Sequence, residues 1–217
     1  NMTSEQAATQ LARLANITGL VGEYGAEGYS RLGSAVVALG NNFATTESEI
    51  VDMSMRLASA GTNLGISESQ ILAFAAAMSS VGISAEIGGT SMSKFMSSVQ
   101  IAVETGSKDL KKYASVAGLT AKEFETAFKE DAAGALTLFI QGLNDTERNG
   151  KSAIAVLEDL GVTDVSLQRT LLSLANSSGI LTDAMEVSND AFEENTALTK
   201  EAEQRYATFE SKVQLAK

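Results

Sequence analysis

The amino-acid sequence predicts an all-α fold, a compact domain of about nine or ten short helices followed by a longer C-terminal helix. Apolar residues recur three and four positions apart along almost all of the 217 residues, which is the spacing of one helix face. No segment between turn signals alternates apolar and polar residues as a half-buried strand does. The chain also contains no proline, which suits helices joined by glycine corners.

The first 30 residues are expected to form a bent or frayed helical lead-in to the domain. Gly19, Gly22, Gly25 and Gly28 fall at every third position. Glycine weakens a helix interior because it loses more backbone freedom on folding than any other residue. We therefore expect a bend between the first helix and the apolar segment at 29–39.

Six later segments place apolar residues on one face of a helix, and these stripes predict much of the core. They are Ile71, Phe74, Ala75 and Met78; Met92, Phe95, Met96 and Val99; Leu110, Tyr113, Ala114 and Ala117; Leu136, Phe139, Ile140 and Leu143; Leu171, Leu174 and Ala175; and Leu181, Ala184 and Met185. The longest uninterrupted apolar run, 71–78, is far shorter than the roughly 18–20 residues that cross a bilayer.

Four connectors share the order glycine, aliphatic residue, serine or threonine. Glycine supplies the left-handed residue that ends a helix, and the hydroxyl caps the N-terminus of the next one. Gln70 and Glu123 stand where a capping box requires them, and Thr46 with Glu49 forms a further box. The connectors are Gly65, Ile66 and Ser67; Gly82, Ile83 and Ser84; Gly118, Leu119 and Thr120; and Gly161, Val162 and Thr163.

The pair Gly88 and Gly89 is a further candidate turn. Two glycines before a helix could cradle an anion, but the lysine and spacing of a phosphate-binding loop are missing. Close helix packing or a flexible start of the helix is the preferred interpretation.

The C-terminal segment 190–217 has no glycine and no turn dipeptide. A stripe with alternating spacing of four and three runs along it, which indicates a coiled coil or an amphipathic helix folded back on the domain. We therefore divide the chain into a core domain, 1–189, and a long helix, 190–217. Because no stop signal follows this helix and the chain starts on Asn1, we expect both to belong to a longer protein. The stripe is Leu198, Ala202, Arg205, Phe209, Val213 and Ala216.

Composition excludes several functions. The chain has no histidine and no cysteine, which rules out a thiolate nucleophile, a Ser-His triad, disulfides and the usual zinc sites. We expect no cofactor and no metal. The net charge of −11 would repel phosphate backbones, and no large region of the chain is positive, so we expect no nucleic-acid partner.

Two patterns could carry catalysis, and neither is convincing. Ser91 and Lys94 fit the S-x-x-K pattern of serine hydrolases, but the companion Lys-Thr-Gly and any sign of a β-sheet are missing. Glu86, or Glu158 with Asp159, could cleave glycosides, yet the chain has no tryptophan to form a sugar platform. Exposed helix flanks explain these carboxylates better. We predict no catalytic residue and no enzyme.

The order of the motifs resembles the core region of phage tail tape measure proteins, and the resemblance covers roughly residues 15–215. The segments that carry it are LGNNFATTESEI at 39–50, GISESQILA at 65–73, SVGISAEIGGT at 80–90, AGLTAKEF at 117–124, ALTLFIQGL at 135–143 and LEDLGV at 157–162.

This resemblance implies a structural module that acts in tail assembly, tail-length determination and genome ejection. It implies tail tube protein, tail assembly chaperones and tail-tip proteins as partners, and contact with a host membrane only for the full-length protein. A further candidate partner is a second copy of the chain in an oligomer, but the sequence leaves the oligomeric state open. It also implies a location in the tube lumen of the virion tail, and in the bacterial cytoplasm during assembly. A peptidoglycan-degrading or membrane-active helical module is the alternative.

Overall fold

The computed structural model describes residues 4–148, 152–177 and 179–215, and these fold into thirteen helices with no strand among them. Helices make up about 84% of the residues that the structure describes. The all-α prediction is confirmed, whereas the helix number is higher than the nine or ten expected. The difference arises at short helices between closely spaced turns, which periodicity over a long window does not resolve.

The helices follow one another in the order α1 to α13. Their bounds are α1 (Ser4–Thr18), α2 (Leu20–Tyr24), α3 (Glu27–Asn42), α4 (Glu47–Asn63), α5 (Glu68–Ser80), α6 (Ala85–Thr105), α7 (Lys108–Val116), α8 (Ala121–Glu130), α9 (Ala132–Arg148), α10 (Ala153–Asp159), α11 (Val165–Asn176), α12 (Ile180–Glu194) and α13 (Ala197–Leu215).

The N-terminal stretch turns twice, at glycines in positive-φ conformations. Gly19 has φ 79° and Gly25 has φ 57°, and the five residues of α2 lie between them. Gly22 and Gly28 lie within helices instead. Because a left-handed residue ends a regular helix, the glycine spacing produces two corners here rather than one bend.

One hydrophobic core runs through the domain, and α5 lies at its centre. All eight residues from 71 to 78 are completely buried. Helices α3, α4, α6, α11 and α12 all contact α5, while α7, α8 and α9 pack against one another beside them. The predicted apolar stripes are buried in this core, except that Ala117 and Met185 are only partly buried.

The C-terminal segment differs from the expected single helix over 190–217. Helix α12 extends to Glu194, and α13 begins only at Ala197, so the chain breaks at Asn195 and Thr196. No glycine or proline marks this break in the sequence. Ala216 of the predicted stripe lies outside the described residues.

Three aromatic rings form the centre of the contact between α6, α7 and α9. The ring centroids of Phe95 and Phe139 lie 5.2 Å apart, and that of Tyr113 lies 5.4 Å from Phe139 and 6.1 Å from Phe95. The angles between Tyr113 and the other two rings are 63° and 67°, an edge-to-face arrangement that aromatic pairs favour. Burial raises the pKa of Tyr113 to about 12, and the nearby Asp109 carboxylate acts in the same direction.

The main chains of α7 and α9 approach each other closely at Gly142. A Cβ atom at this position would overlap the carbonyl oxygen of Val116, the last residue of α7. Such a contact leaves room only for a Cα hydrogen, which can serve as a weak donor to that carbonyl. Gly142 therefore sets how closely the two helices pack.

We expect Gly142→Ala to lower the free energy of unfolding by about 1–3 kcal/mol, because α7 and α9 must move apart to admit a methyl group. Gly22→Ala is the matched control, since it also lies in a helix but has open space around it. That control should be neutral or raise stability by up to about 1 kcal/mol through helix propensity. Urea unfolding measures both variants, and equal effects would contradict the close approach.

A second prediction concerns alkaline pH. In the unfolded chain Tyr113 ionises near pH 10, whereas the folded protein holds its proton to about pH 12. A group with a raised pKa in the folded state contributes stability that is lost as pH rises through this window. Relative to Tyr113→Phe, the wild type should lose about 2 kcal/mol of stability between pH 10 and pH 12.

The control for the alkaline experiment is Tyr206→Phe, because Tyr206 is 74% exposed. Its unfolding free energy should follow that of the wild type at every pH. If the unfolding free energy of Tyr113→Phe also changes in parallel with that of the wild type from pH 10 to pH 12, Tyr113 is not buried in the aromatic cluster as described.

Candidate functional site

The predicted turn glycines lie at the ends of helices. Gly65, Gly82, Gly118 and Gly161 have φ values of 71°, 80°, 73° and 77°, all in the left-handed region that favours glycine. The residue after each of these glycines donates its backbone N–H to a carbonyl in the last turn of the preceding helix. These corners are therefore helix stops of the kind that satisfies free carbonyl groups.

The predicted caps Ser67 and Thr120 form complete capping boxes. The Ser67 hydroxyl accepts the N–H of Gln70, and the Thr120 hydroxyl accepts that of Glu123. The Gln70 and Glu123 side chains accept the N–H of Ser67 and Thr120 in return, at 3.0 and 2.8 Å. The bonds from Thr120 lower the pKa of Glu123, because they stabilise the ionised carboxylate.

Ser84 and Thr163 do not act as the predicted caps. Ser84 occupies the position before α6 but its side chain makes no capping hydrogen bond. Thr163 lies one residue too early, because Asp164 caps α11 by accepting the N–H of Leu167 at 2.9 Å. Because an aspartate follows this threonine in the sequence, the connector pattern alone predicted the wrong residue as the N-cap of α11.

Gly88 and Gly89 lie inside the first turns of α6 and form no turn. Their missing side chains make room for α4. A Cβ on Gly88 would come within 2.5 Å of Ile83 and 3.1 Å of Met53, and one on Gly89 within 2.6 Å of Arg56. Close helix packing, one of the two preferred interpretations, is the role that the structure assigns to them.

The candidate catalytic residues do not come together. On α6, Ser91 is buried whereas Lys94 is exposed, and no hydrogen bond joins these two described residues. Glu86 and Glu158 are exposed. Asp159 is exposed as well and pairs with Lys112 at 3.1 Å. Within the described parts of the chain, no group of histidine, cysteine, aspartate or glutamate side chains could hold a metal ion.

A dense polar cluster lies instead where α12 meets α13, on the surface of α3. We call this cluster the α13 junction, and it consists of Ser30, Arg31, Ser34, Asn195 and Leu198. Its two parts are the arginine at the end of α12 and the serine-asparagine network at the start of α13.

Arg31 holds the end of α12. Its Nη1 atom donates to the carbonyl oxygens of Phe192 at 3.0 Å and Glu193 at 3.3 Å. These carbonyls belong to the last turn of α12, where helical partners are missing. The guanidinium also bonds to Glu27 at 2.8 Å and lies 5.0 Å from the Tyr24 ring and 5.8 Å from the Phe192 ring. With only 17% of its side chain exposed, Arg31 acts as a nearly buried cap.

Ser34 and Asn195 connect α3 to the start of α13. The buried Ser34 hydroxyl donates to Asn195 Oδ1 at 3.2 Å and accepts the N–H of Leu198 at 3.3 Å. Asn195 Nδ2 donates to the Ser30 hydroxyl at 2.9 Å. The Leu198 side chain covers Gly33, where any Cβ would come within 2.8 Å of it. Together these contacts fix the direction in which α13 leaves the domain.

A groove of about 500 Å³ runs beside the junction between α1, α3, α4 and α13. Its floor is apolar, with Leu11, Val36 and Val51, while Glu47 and Arg205 stand at its edge. Along the next turns of α13 the domain gives little cover, because residues 202–208 are all exposed. Helix α13 therefore lies along α3 through the residues that line the groove, while its residues 202–208 remain exposed to solvent.

Sequence reasoning missed the junction. Asparagine is the residue after glycine that most readily adopts the left-handed conformation, so Asn195 could have been considered as a helix stop. Arg31 carries no such local signal, since its partners at the end of α12 lie more than 160 residues away in the chain.

Comparison with known proteins gives a family match over most of the chain. The family model described as phage-related minor tail protein matches residues 1–156, from the N-terminus into α10. No curated protein and no solved structure matches the chain. None of the described helices is both long and apolar enough to cross a membrane. The match includes Arg31 and Ser34 of the junction, while Asn195 and Leu198 lie beyond it.

We expect Arg31→Lys to lower the free energy of unfolding by about 1–2 kcal/mol, because lysine cannot bond to two carbonyls and stack between two rings as a guanidinium does. Arg205→Lys is the matched control, since Arg205 is 73% exposed and pairs with the neighbouring Glu201 on its own helix. It should show no measurable change in urea unfolding. Equal stability of the two variants would mean that Arg31 does not cap α12.

Proposed function

Because the chain belongs to the phage-related minor tail proteins, we propose that it is a structural module of a tape measure protein. In this proposal the compact domain anchors a helical ruler whose length sets the length of the tail, and α13 leads from the domain towards that ruler. The module acts in tail assembly and in genome ejection, and it performs no catalysis.

The observation that carries this proposal is the exposure of α13. A helix rises about 1.5 Å per residue, so the 19 residues of α13 extend over about 28 Å. Residues 202–208 are exposed to solvent, although short isolated helices are only marginally stable in water. Contact with further helices would stabilise this part of the chain, and a tail interior packed with helices provides such contact.

The junction supports the same proposal. A helix can set the length of the tail only if it runs from the compact domain in a defined direction. Arg31 and Ser34 fix this direction through hydrogen bonds at both sides of the break between α12 and α13. Membership in the family is consistent with a location in the virion tail, and we place the module in the tube lumen. Its proposed partners are the tail tube protein, the tail assembly chaperones and the tail-tip proteins.

We expect insertions in α13 to lengthen the tail. Four or eight added heptads, inserted in the exposed part of α13, should extend the tail by about 42 or 84 Å, since each helical residue adds about 1.5 Å. Electron microscopy of tails from a phage or prophage that carries the altered gene measures this length. In a coiled coil, which has 3.5 residues per turn, whole heptads keep the phase of the partner-facing stripe.

Insertions of the same lengths in the turn between α6 and α7, at Gly106 and Ser107, provide the control. They add residues to the domain but not to the proposed ruler, so any tails formed should keep their normal length. The proposal fails if the α13 insertions give assembled tails of unchanged length.

A further inference from the structure

Helices α12 and α13 are two parts of what the sequence encodes as one helix. Only Asn195 and Thr196 separate them, and residues 180–215 contain neither glycine nor proline. Glycine or proline marks many helix ends, and neither is present at this place. Asn195 is the local stop signal here, and contacts made elsewhere in the fold reinforce it.

The buried face of α12 is in phase with the face that α13 turns towards the groove. Leu181, Ala184, Ser188 and Phe192 form the buried stripe of α12. Continuing from Phe192 in steps of three, three and four reaches Asn195, then Leu198, then Ala202. If the helix were continuous, all these residues would share one face.

Side chains of α3 replace the backbone hydrogen bonds that the break removes. In a continuous helix the N–H groups of Thr196 and Ala197 would donate to the carbonyls of Phe192 and Glu193. In the structure those two carbonyls accept hydrogen bonds from Arg31 instead.

The same exchange occurs on the α13 side of the break. The N–H of Leu198, which in a continuous helix would donate to the carbonyl of Glu194, donates to the Ser34 hydroxyl. Straightening the chain would thus exchange side-chain hydrogen bonds for helical ones and leave few polar groups without a partner.

Asn195 makes the break sterically possible. Its φ of 52° and ψ of 37° lie in the left-handed region, and among the described residues it is the one non-glycine with positive φ. Asparagine tolerates this conformation better than other side chains, whereas alanine prefers the right-handed helix. The hydrogen bonds of its side chain with Ser30 and Ser34 hold it there.

We propose that Asn195 is a hinge between two states of the chain. In the bent state, which the structure shows, α13 lies along α3. In the straight state α12 and α13 form one helix over 180–215, about 54 Å long, and the groove beside α3 is uncovered. Arg31 and Ser34 hold the bent state. This inference rests on the geometry of the junction and does not depend on the proposed function in the tail.

The test is a distance measurement between two spin labels in the full chain. The sequence has no cysteine, so Asn189→Cys and Thr208→Cys, both at exposed positions, provide the two labelling sites. In a straight helix these positions lie about 28 Å apart, and in the bent state they must lie closer together. We expect Asn195→Ala and Ser34→Ala each to increase the fraction at the straight-helix distance several-fold over the wild type.

Asn195→Gly is the matched control, because glycine adopts the left-handed conformation freely and should keep the bent distance. Circular dichroism checks that each variant is folded. Ser34→Ala removes a single hydroxyl, so it carries the test if Asn195→Ala does not fold. The hinge is refuted if every folded variant, Ser34→Ala included, gives the same distance distribution as the wild type.

Discussion

The complete burial of residues 71–78 in α5 is the constraint on which the arrangement of the other helices depends. A segment that is apolar all round must be covered on all sides, because each exposed Leu, Ile, Phe or Met side chain costs about 1.5–3 kcal/mol relative to burial. Helices α3, α4 and α6 cover part of its surface, and α11 and α12 return from much later in the chain to cover the rest. The Ser188 hydroxyl on α12 fastens this cover by donating to the carbonyl of Ser69 at 2.7 Å. The matched family region, 1–156, therefore completes its core only with helices that follow it.

The packing around this centre relies on helical glycines that let main chains approach each other. Gly142 admits the end of α7, Gly88 and Gly89 admit α4, and Gly33 receives Leu198. These positions do not need the left-handed conformation of the corner glycines, so they serve a different purpose from the turns. Close approach makes the packing intolerant of added volume and gives the domain few ways to rearrange internally. Motion is then expected at the periphery, where α13 is attached.

The α13 junction connects this rigid core to the exposed helix that the proposed function requires. Most of its contacts are hydrogen bonds in which each polar group has a partner. The contacts around α5 are apolar instead, and their contribution to stability follows only the apolar area that is removed from water. Polar contacts of this kind specify direction, and they can be exchanged for helical hydrogen bonds without exposing the core. The same cluster can therefore fix the direction of α13 in one state and release it in another.

The helical class, the apolar stripes, the glycine corners and three complete capping boxes could be predicted from the sequence, because each of these depends on residues within a few positions of one another. The sequence did not resolve the short helices, and it assigned the cap of α11 to Thr163 rather than Asp164, because neighbouring residues compete for such positions. The roles of Gly88, Gly89 and Gly142 became visible only in the folded chain, since the sequence around a helical glycine does not show which neighbouring segment will pack against it. The break at Asn195 likewise depends on Arg31 and Ser34, whose partners lie more than 160 residues away. Local periodicity continues the helix through Asn195, and the contacts with the distant α3 reinforce the stop that the left-handed Asn195 makes possible.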